Sequence, residues 1–398
     1  MAVRTTDTIP KLDDVNYLFD SLACVRDGFT FDAIRLELIR LRSESGAVPE
    51  NVPSHKFWSN ARDVLRELMR LGLLRRATLP SRPAQLDAHR AREFELTDEG
   101  KRFLALEERS RWEFRHRFAQ AMLIAHPYMR ELHRILDASE LFFPRLQRTE
   151  LPGSTEDWRT GPPEPLGQVC AWVSGSVQDV LGVSISPEQL EGKVRPYVIH
   201  AWKRLDIEQK SHMFSQAVVK AMNDVFVRAL LEAYGLRMDF VTFRSAVGLL
   251  SNLGAIWHTR SLLDRRGWTV WSTSVTPPAL MASGGSPAAL ALEGPVWFQP
   301  RVVKAEVVRD HLIETFFSRS DRRGGFALIH VLRAEVCHRL HIHGRDFDAV
   351  LSQMHTKKLS HEAYEINLDR GGSDEVPPSE TPFRIGDKAF YLITLLKR

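Results

Sequence analysis

The stretch "ARDVLRELMRLGLLRRATLP", residues 61–80, decides the fold predicted for the N-terminal part of this chain. Arg62, Arg66 and Arg70 recur every four residues, so they line up along one face of a helix. A second face carries the apolar residues that predict a buried stripe, which are Val64, Leu65, Leu68, Leu71 and Leu74. Gly72 then interrupts the helical spacing, and "LLRRATL" predicts a strand.

Residues 10–110 are predicted to form one domain around this stretch. Two helices precede it, in "VNYLFDSLACVRDG" and "TFDAIRLELIRLRSESG", and Thr30 is well placed to cap the second. The helix at 57–71 follows, and then two strands, "LLRRATL" and "EFELT", flank the basic loop "PSRPAQLDAHRARE". A closing helix starts at Thr97. This order of elements is the one expected of a winged helix-turn-helix.

The pairing of "ARDVLRELMRLGLLRR" with "FELTDEGKRFLAL" resembles winged-helix domains of the bacterial regulator type. In those domains a recognition helix ends in a Leu-Gly-Leu-Leu turn, and the wing closes with a Leu-Thr-Asp-Glu-Gly step into the last helix. The resemblance covers about a quarter of the 398 residues. It implies the fold more firmly than the function, because winged helices serve both DNA binding and protein docking.

The middle of the chain is predicted to be helical from 111 to 221. Pro127 kinks or splits the first part of this region, and residues 151–167, rich in Pro and Gly, form a linker. Residues 222–320 predict a second winged-helix-like domain, with "DFVTFRSAVGLLSNLGAIW" as its helix-turn-helix. Its strands "GWTVWSTSV" and "GPVWFQPRV" would pair around the loop "TPPALMASGGSPAALALE", and "KAEVVRDHLIETFFSR" would be its last helix.

A third winged-helix-like domain is predicted at 324–398. It has the helix "GGFALIHVLRAEVCHRLHI", the recognition-helix candidate "GRDFDAVLSQMHTKKLS" and the strands "AYEINLD" and "FRIGDKAFYLITLL". The three domains share a pattern of elements and little sequence. The predicted fold class is therefore α+β and predominantly helical, with tandem winged-helix domains joined by a helical middle region.

Basic residues in the first and third domains are the candidates for contact with nucleic acid, because Arg offers a rigid fork of donors to phosphates and base edges. They are Arg62, Arg66, Arg70, Arg75, Arg76, Arg82, Arg90, Arg92, Lys357 and Lys358. Asp63 and Glu67 favour a different interpretation, in which they pair with Arg66 and Arg70 on an ordinary solvated or protein-docking face. The helix of the second domain, "FRSAVGLLSNLG", is almost uncharged, which indicates a packed or partner-facing helix.

No motif predicts a metal site, a cofactor or catalytic residues. Cys337 and His341 lie four residues apart, a spacing that can bind zinc, but no second pair of ligands follows. The sequence contains neither a Walker loop nor a dinucleotide glycine pattern after a strand. We therefore expect that the protein is not an enzyme. The less favoured alternative is an enzyme with an irregular active site whose residues are scattered along the sequence.

Composition sets the broad class. The chain has 54 Lys and Arg against 50 Asp and Glu, a net charge of +4 that permits contact with nucleic acid without requiring it. Its three cysteines, Cys24, Cys170 and Cys337, are far apart, which argues against a disulfide framework and for a reducing compartment. The N-terminus lacks the apolar core of a signal peptide, and no run is long enough to span a bilayer. These observations predict a cytoplasmic protein without a membrane partner.

The favoured function is a bacterial, non-catalytic adaptor that holds duplex DNA and partner proteins, in a setting such as a defence or mobile-element system. In this hypothesis the helix at 57–71 enters the major groove and the wing at 75–92 grips phosphates. A ligand-responsive transcriptional regulator is a further alternative, disfavoured because the rest of the chain shows no obvious small-molecule fold.

The main competing hypothesis is a protein-docking subunit without DNA affinity, since chains with winged helices at both ends resemble the linker subunits of chromosome-condensing complexes. This chain differs from that pattern in its Trp-rich middle, where those subunits have a long disordered one. The tryptophans that would be core anchors or interface hot spots are Trp158, Trp172, Trp202, Trp257, Trp268, Trp271 and Trp297. A continuous basic stripe would favour DNA, whereas an exposed Trp or Leu patch would favour docking.

Overall fold

A computed structural model describes residues 18–19, 22–23, 29–44, 54–76, 93–146, 165–204, 216–275, 286–293, 299–318, 325–372, 376 and 382–397. These residues form an α+β fold in which helices predominate, so the predicted fold class is confirmed at this level. The chain divides into two compact units built from interleaved segments. The first unit comprises Met1–Arg134, Val241–Ile256 and Ser274–Gln299, and the second comprises Ile135–Phe240, Trp257–Thr273 and Pro300–Arg398.

The N-terminal segment of the first unit alternates short strands with helices. Its elements are β1 (Phe29–Thr30), α1 (Phe31–Glu44), α2 (Ser54–Leu71), β2 (Leu74–Arg76), β3 (Glu93–Leu96), α3 (Asp98–Arg109), α4 (Arg111–Ala125) and α5 (Pro127–Ala138). The predicted cap is present, since Oγ1 of Thr30 accepts a hydrogen bond from the backbone N–H of Ala33. The closing helix starts after Thr97, whose Oγ1 accepts a hydrogen bond from the backbone N–H of Gly100. Pro127 begins α5 and so divides it from α4, as predicted.

The core of the first unit forms where α2 meets the strands and helices that follow it. The predicted apolar stripe is buried in full, since each of its side chains is at most 3% exposed. The strands form a sheet in the order β1-β3-β2. In the same core, the rings of Phe19, Phe103, Phe114 and Phe118 pack at centroid distances of 4.8–6.1 Å, and every pair except Phe114 with Phe118 meets edge to face. Apolar burial on one side of α2 therefore leaves its other side for solvent.

The middle of the chain supplies a second sheet and four helices. These elements are β4 (Leu141–Pro144), α6 (Pro165–Leu181), α7 (Pro187–Arg204), α8 (Gln216–Ala233), α9 (Phe240–Leu253), β5 (Ile256–Thr259) and β6 (Gly267–Ser272). The strand β6 is buried along its whole length and pairs with β4, with Leu141 opposite Val270, in a sheet ordered β4-β6-β5. Strands buried on both faces need partners on both edges, and β4 and β5 provide them.

The strand pairing predicted for the second domain was only partly right. Of the predicted hairpin, a short ladder of β7 (Ser274–Val275) with β8 (Gln299–Pro300) is present, while most of "GWTVWSTSV" belongs to β6 and pairs with β4. The segment predicted as the wing-tip loop contains the helix α10 (Pro287–Glu293). This helix packs on α4 within the first unit, where Nη1 of Arg117 donates to the carbonyl of Ala291 at 2.7 Å.

The C-terminal part of the second unit has its own core. Its elements are α11 (Ala305–Ser318), β9 (Ala327–Leu328), α12 (Ile329–Leu340), α13 (Gly344–His355), β10 (Tyr364–Asp369), β11 (Phe383–Ile385), β12 (Lys388–Phe390) and β13 (Leu392–Lys397). The three helices pack on one another around Leu312, Leu332 and Phe347. The segment predicted as one strand, "FRIGDKAFYLITLL", is instead a small hairpin of β11 with β12 followed by β13. The helix α11, predicted to end the second domain, belongs to this core.

Three of the sheets share one topology. In the sheets β1-β3-β2, β4-β6-β5 and β9-β13-β10, the first strand along the chain lies at one edge and the last lies in the centre. Each time, helices separate the first strand from the second. Two helices fill this position in the N-terminal and C-terminal sets, and four do so in the middle set.

Candidate nucleic-acid interface

The arginine row of α2, Arg62, Arg66 and Arg70, lies on the exposed face of the helix. The side chains of Arg62 and Arg66 are 44% and 63% exposed. On the opposite face Val64, Leu65 and Leu68 are at most 1% exposed. Because the apolar stripe fixes the rotation of α2 in the core, the arginine row is held toward solvent.

Glu67 does not belong to the exposed face, contrary to the expectation that it pairs with the arginine row. Its side chain is 3% exposed, and its Oε1 lies 2.5 Å from Nε2 of His126, which is 1% exposed. His126 occupies the junction between α4 and α5. The Glu67 carboxylate therefore holds α2 against the core, and its negative charge does not lie on the face that carries the arginine row.

Asp63 lies beside the arginine row, as expected. Its Oδ1 lies 3.8 Å from Nε of Arg62 and 3.8 Å from Nη1 of Arg66. Both contacts are long and solvent-exposed, and ion pairs of this kind contribute little free energy. The pairing predicted between Asp63 and Arg66 is present.

The turn between α2 and β2 is fixed by hydrogen bonds to its backbone. The N–H of Leu73 donates to the carbonyl of Leu68 at 2.9 Å, and the hydroxyl of Thr97 donates to the carbonyl of Gly72 at 2.7 Å. Directly after this turn, Arg75 and Arg76 are exposed on β2. Arg75 forms an ion pair with Glu95 across the strands, and Arg76 lies opposite Phe94. Exposed basic residues thus follow α2 on β2, and one of them, Arg75, is paired with a carboxylate.

The remaining predicted wing residues, Arg82, Arg90 and Arg92, lie outside the described residues.

The two C-terminal candidates lie just past the end of α13. Lys357 has a left-handed backbone, with φ of 58°, and its Nζ lies 2.8 Å from Oε1 of Glu365 on β10. Lys358 is exposed, and its backbone N–H donates to the carbonyl of Gln353 at 2.9 Å. One of the two lysines is therefore paired with a carboxylate.

Sequence reasoning missed the hairpin next to these lysines. Its strands β11 and β12 flank Gly386–Asp387 and carry the exposed cations Arg384 and Lys388. A Gly-Asp pair between two short runs that alternate in polarity is a hairpin signal, so the sequence did contain the information. Arg370, which is also exposed, lies over the ring of Phe390 on β12 at 6.0 Å from its centroid.

The helix that corresponds to α2 and α13 in the middle of the chain has a different surface. Of the 14 residues of α9, eight are buried, and Arg244 is its charged residue. This agrees with the prediction of a packed helix. Two of the predicted tryptophan anchors, Trp268 and Trp271, are buried, whereas Trp172 and Trp257 are half-buried and the side chains of the other three lie outside the described residues.

Near the C-terminus, Cys337 is part of the helical core and His341 lies at the end of the same helix. Cys337 is fully buried on α12, where burial raises the pKa of its thiol well above the ordinary value, and His341 is the left-handed residue that ends this helix. Among the described residues, no group of three or more His, Cys, Asp or Glu side chains could hold a metal ion.

Within the described part of the chain, no helix combines the length and the apolar character that crossing a membrane requires. The large apolar side chains exposed in this part include Leu36, Trp112 and Val302, and none of those recorded lies on α13 or on the β11–β12 hairpin. No protein-family model, no curated protein and no solved structure matches this chain.

Proposed function

We propose that this chain is a non-catalytic DNA-binding adaptor whose N-terminal winged helix lays α2 into the major groove of duplex DNA. In this proposal β1, α1, α2, β2, β3 and α3 form the winged helix. Two features of the set support it: the order β1-β3-β2 of its sheet and the position of α2 immediately before the β2–β3 hairpin. The proposal extends to β9–β13 with α11, α12 and α13, whose sheet has the same order.

The observation that carries the proposal is the arginine row. Three long donors project from one rigid helix face, and Arg can form bidentate hydrogen bonds with a guanine edge or with a phosphate. Arg75 and Arg76 continue the positive charge onto the strand that leads into the wing. A groove-reading helix beside a cationic wing supplies both base contacts and phosphate contacts.

Partner proteins, and a cytoplasmic location, belong to the same proposal. A chain with two or three winged helices can hold DNA with one and a protein with another, since the fold serves both purposes. The described cysteines, Cys170 and Cys337, are free and buried, in keeping with a reducing compartment.

The test is a fluorescence-anisotropy titration of a labelled duplex with the wild type and the variant Arg62→Ala/Arg66→Ala/Arg70→Ala. We expect the triple variant to lose affinity at least about tenfold, because a protein with fewer cations displaces fewer counterions from the DNA when it binds. The matched control is Lys101→Ala/Arg102→Ala/Arg109→Ala, which removes the same charge from the exposed face of α3. Loss of affinity in the control alone, or in neither variant, would overturn the proposal.

One further substitution should change the affinity for DNA in the opposite direction. Asp63→Asn removes the carboxylate that lies 3.8 Å from two of the arginines, so it should strengthen DNA binding severalfold. A protein-docking surface without DNA affinity predicts no binding of the duplex by any of these proteins.

A further inference from the structure

The C-terminal part of the second unit packs one face of α13 against its core, as the first unit does with α2. A three-residue turn, 341–343, joins α12 to α13. Nδ1 of His343 accepts a hydrogen bond from the backbone N–H of Arg345, and the carboxylate of Asp346 accepts one from the backbone N–H of His343. This reciprocal capping fixes the start of α13.

A partly buried ion pair joins α13 to α12 on the side that faces the core. Arg333 on α12 is 4% exposed, and its Nε donates to Oδ1 of Asp348 on α13 at 2.9 Å. Phe347, Val350 and Leu351 are buried in the same core. The opposite face of α13 is thereby held toward solvent, as is that of α2.

The solvent face of α13 is mostly polar and carries charges of both signs, on Arg345 and Asp346. Arg345, Ala349 and Gln353 recur every four residues and are exposed, which repeats the spacing of the arginine row. Arg and Gln are the side chains that recognise guanine and adenine edges in the major groove. The helix then ends at His355, and the exposed Lys357 and Lys358 follow after one further residue.

The β11–β12 hairpin meets this end of α13. The ring of Phe390 lies 6.1 Å from the ring of His355 and 6.0 Å from the guanidinium carbon of Arg370. Lys388 is two residues before Phe390 on the same strand, so both side chains belong to the same face of the hairpin. The end of α13, the face of the hairpin that carries Lys388, and Arg370 therefore lie next to one another.

We propose that α13 and the β11–β12 hairpin form a second site for duplex DNA, separate from α2 and located in the second unit. The inference rests on the proposed function, because both sites take the same ligand. Duplex DNA is favoured over a protein partner because none of the large apolar side chains recorded as exposed in the described residues lies on α13 or on the hairpin. The face instead offers groove-reading side chains and phosphate-binding cations.

The test uses a variant of three exposed cations around this surface, Lys358→Ala/Arg370→Ala/Lys388→Ala, in the full chain. Arg228→Ala/Arg237→Ala/Lys304→Ala is the matched control, since it removes the same charge from exposed positions elsewhere in the second unit. In anisotropy titrations with a labelled duplex, the first variant should lose affinity about fivefold or more, and the control should lose much less. Thermal unfolding of both variants should follow that of the wild type.

Comparing this variant with the α2 triple variant separates the two proposals. If the α2 variant weakens binding and the C-terminal variant behaves as its control, the second site is wrong and the proposed function stands. If the C-terminal variant weakens binding and the α2 variant does not, the second site stands and the role proposed for α2 is wrong. A wild-type chain that binds no duplex overturns both.

Discussion

Oε1 of Glu67 lies 2.5 Å from Nε2 of His126, and both side chains are almost fully buried. The two residues connect the middle of α2 to the junction between α4 and α5. Arg66 and Arg70, which flank Glu67 along α2, are exposed. A single buried contact thus helps to determine which face of α2 reaches solvent.

Removal of the Glu67 carboxylate should destabilise the protein. In Glu67→Ala, His126 keeps a buried Nε2 without its partner, and we expect the free energy of unfolding to fall by about 2–4 kcal/mol. Urea-induced unfolding of the purified variant measures this change. Glu67→Gln, which keeps an oxygen in place, should lose less. The exposed Asp63→Asn should change stability by no more than about 0.5 kcal/mol, and equal losses in all three variants would contradict the account.

The lowered pKa of Glu140 should make the stability of the protein depend on pH. Burial would raise the pKa of Glu140, but hydrogen bonds from His338 and Arg265, with their positive charges, outweigh it and lower the pKa from 4.5 to about 2. A depressed carboxyl pKa contributes stability above pH 4.5, and this contribution is lost as the pH falls toward 2.

The measurement for Glu140 compares unfolding of the wild type and Glu140→Gln between pH 7 and pH 2. The variant should be less stable at pH 7, on the order of 1 kcal/mol, with the difference vanishing near pH 2. Glu108→Gln, at an exposed position of α3, should follow the wild-type curve. A difference between wild type and Glu140→Gln that persists at pH 2 would show that the ion pairs are not its source.

Gly72 ends α2 in a conformation that only glycine adopts without strain. Its φ is +82°, and a Cβ at this position would lie 2.5 Å from Cβ of Ser286, next to α10. Gly72→Ala should therefore destabilise the protein by about 2–3 kcal/mol, through backbone strain and the steric clash together. Gly182 also has a positive φ, of 67°, but has no atom within 4 Å of such a Cβ. Gly182→Ala isolates the backbone contribution, and an equal effect at both positions would exclude the clash.

At Lys357 the situation is the reverse of that at Gly72, because a residue with a side chain adopts a left-handed backbone conformation. Replacing it with glycine removes the steric cost at φ of 58°, and the exposed ion pair with Glu365 contributes little. Lys357→Gly should raise the free energy of unfolding by about 0.5–1 kcal/mol. Lys358→Gly, which removes the neighbouring charge, should not stabilise the protein. A loss of stability in Lys357→Gly would show that its side chain makes a larger contribution than the geometry implies.

The sequence predicted the features that local signals encode. The cap at Thr30, the helix start at Thr97 and the buried stripe of α2 depend on residues within a few positions of one another, so local patterns revealed them. Features that depend on distant segments were missed. The strand β4, "LFFP", is too short to show periodicity, and its partner β6 lies far along the chain.

The candidate site divides in the same way. The exposure of the arginine row followed from the helical pattern, whereas the assignment of Glu67 to that exposed face was wrong, because its partner His126 comes from a separate helix junction. The contacts of His355 and Arg370 with Phe390 likewise join three separate segments. A pattern within one helix carries no information about such partners.

The most direct test of the central claim is the salt dependence of duplex binding. The slope of log K against log salt concentration is measured for the wild type, for the arginine-row triple variant and for its α3 control. If α2 enters a DNA groove, the slope of the triple variant should be shallower by about 0.9 for each arginine that contacts a phosphate. The control should keep the wild-type slope. A triple variant whose slope and affinity both equal those of the wild type would contradict the placement of α2 on DNA.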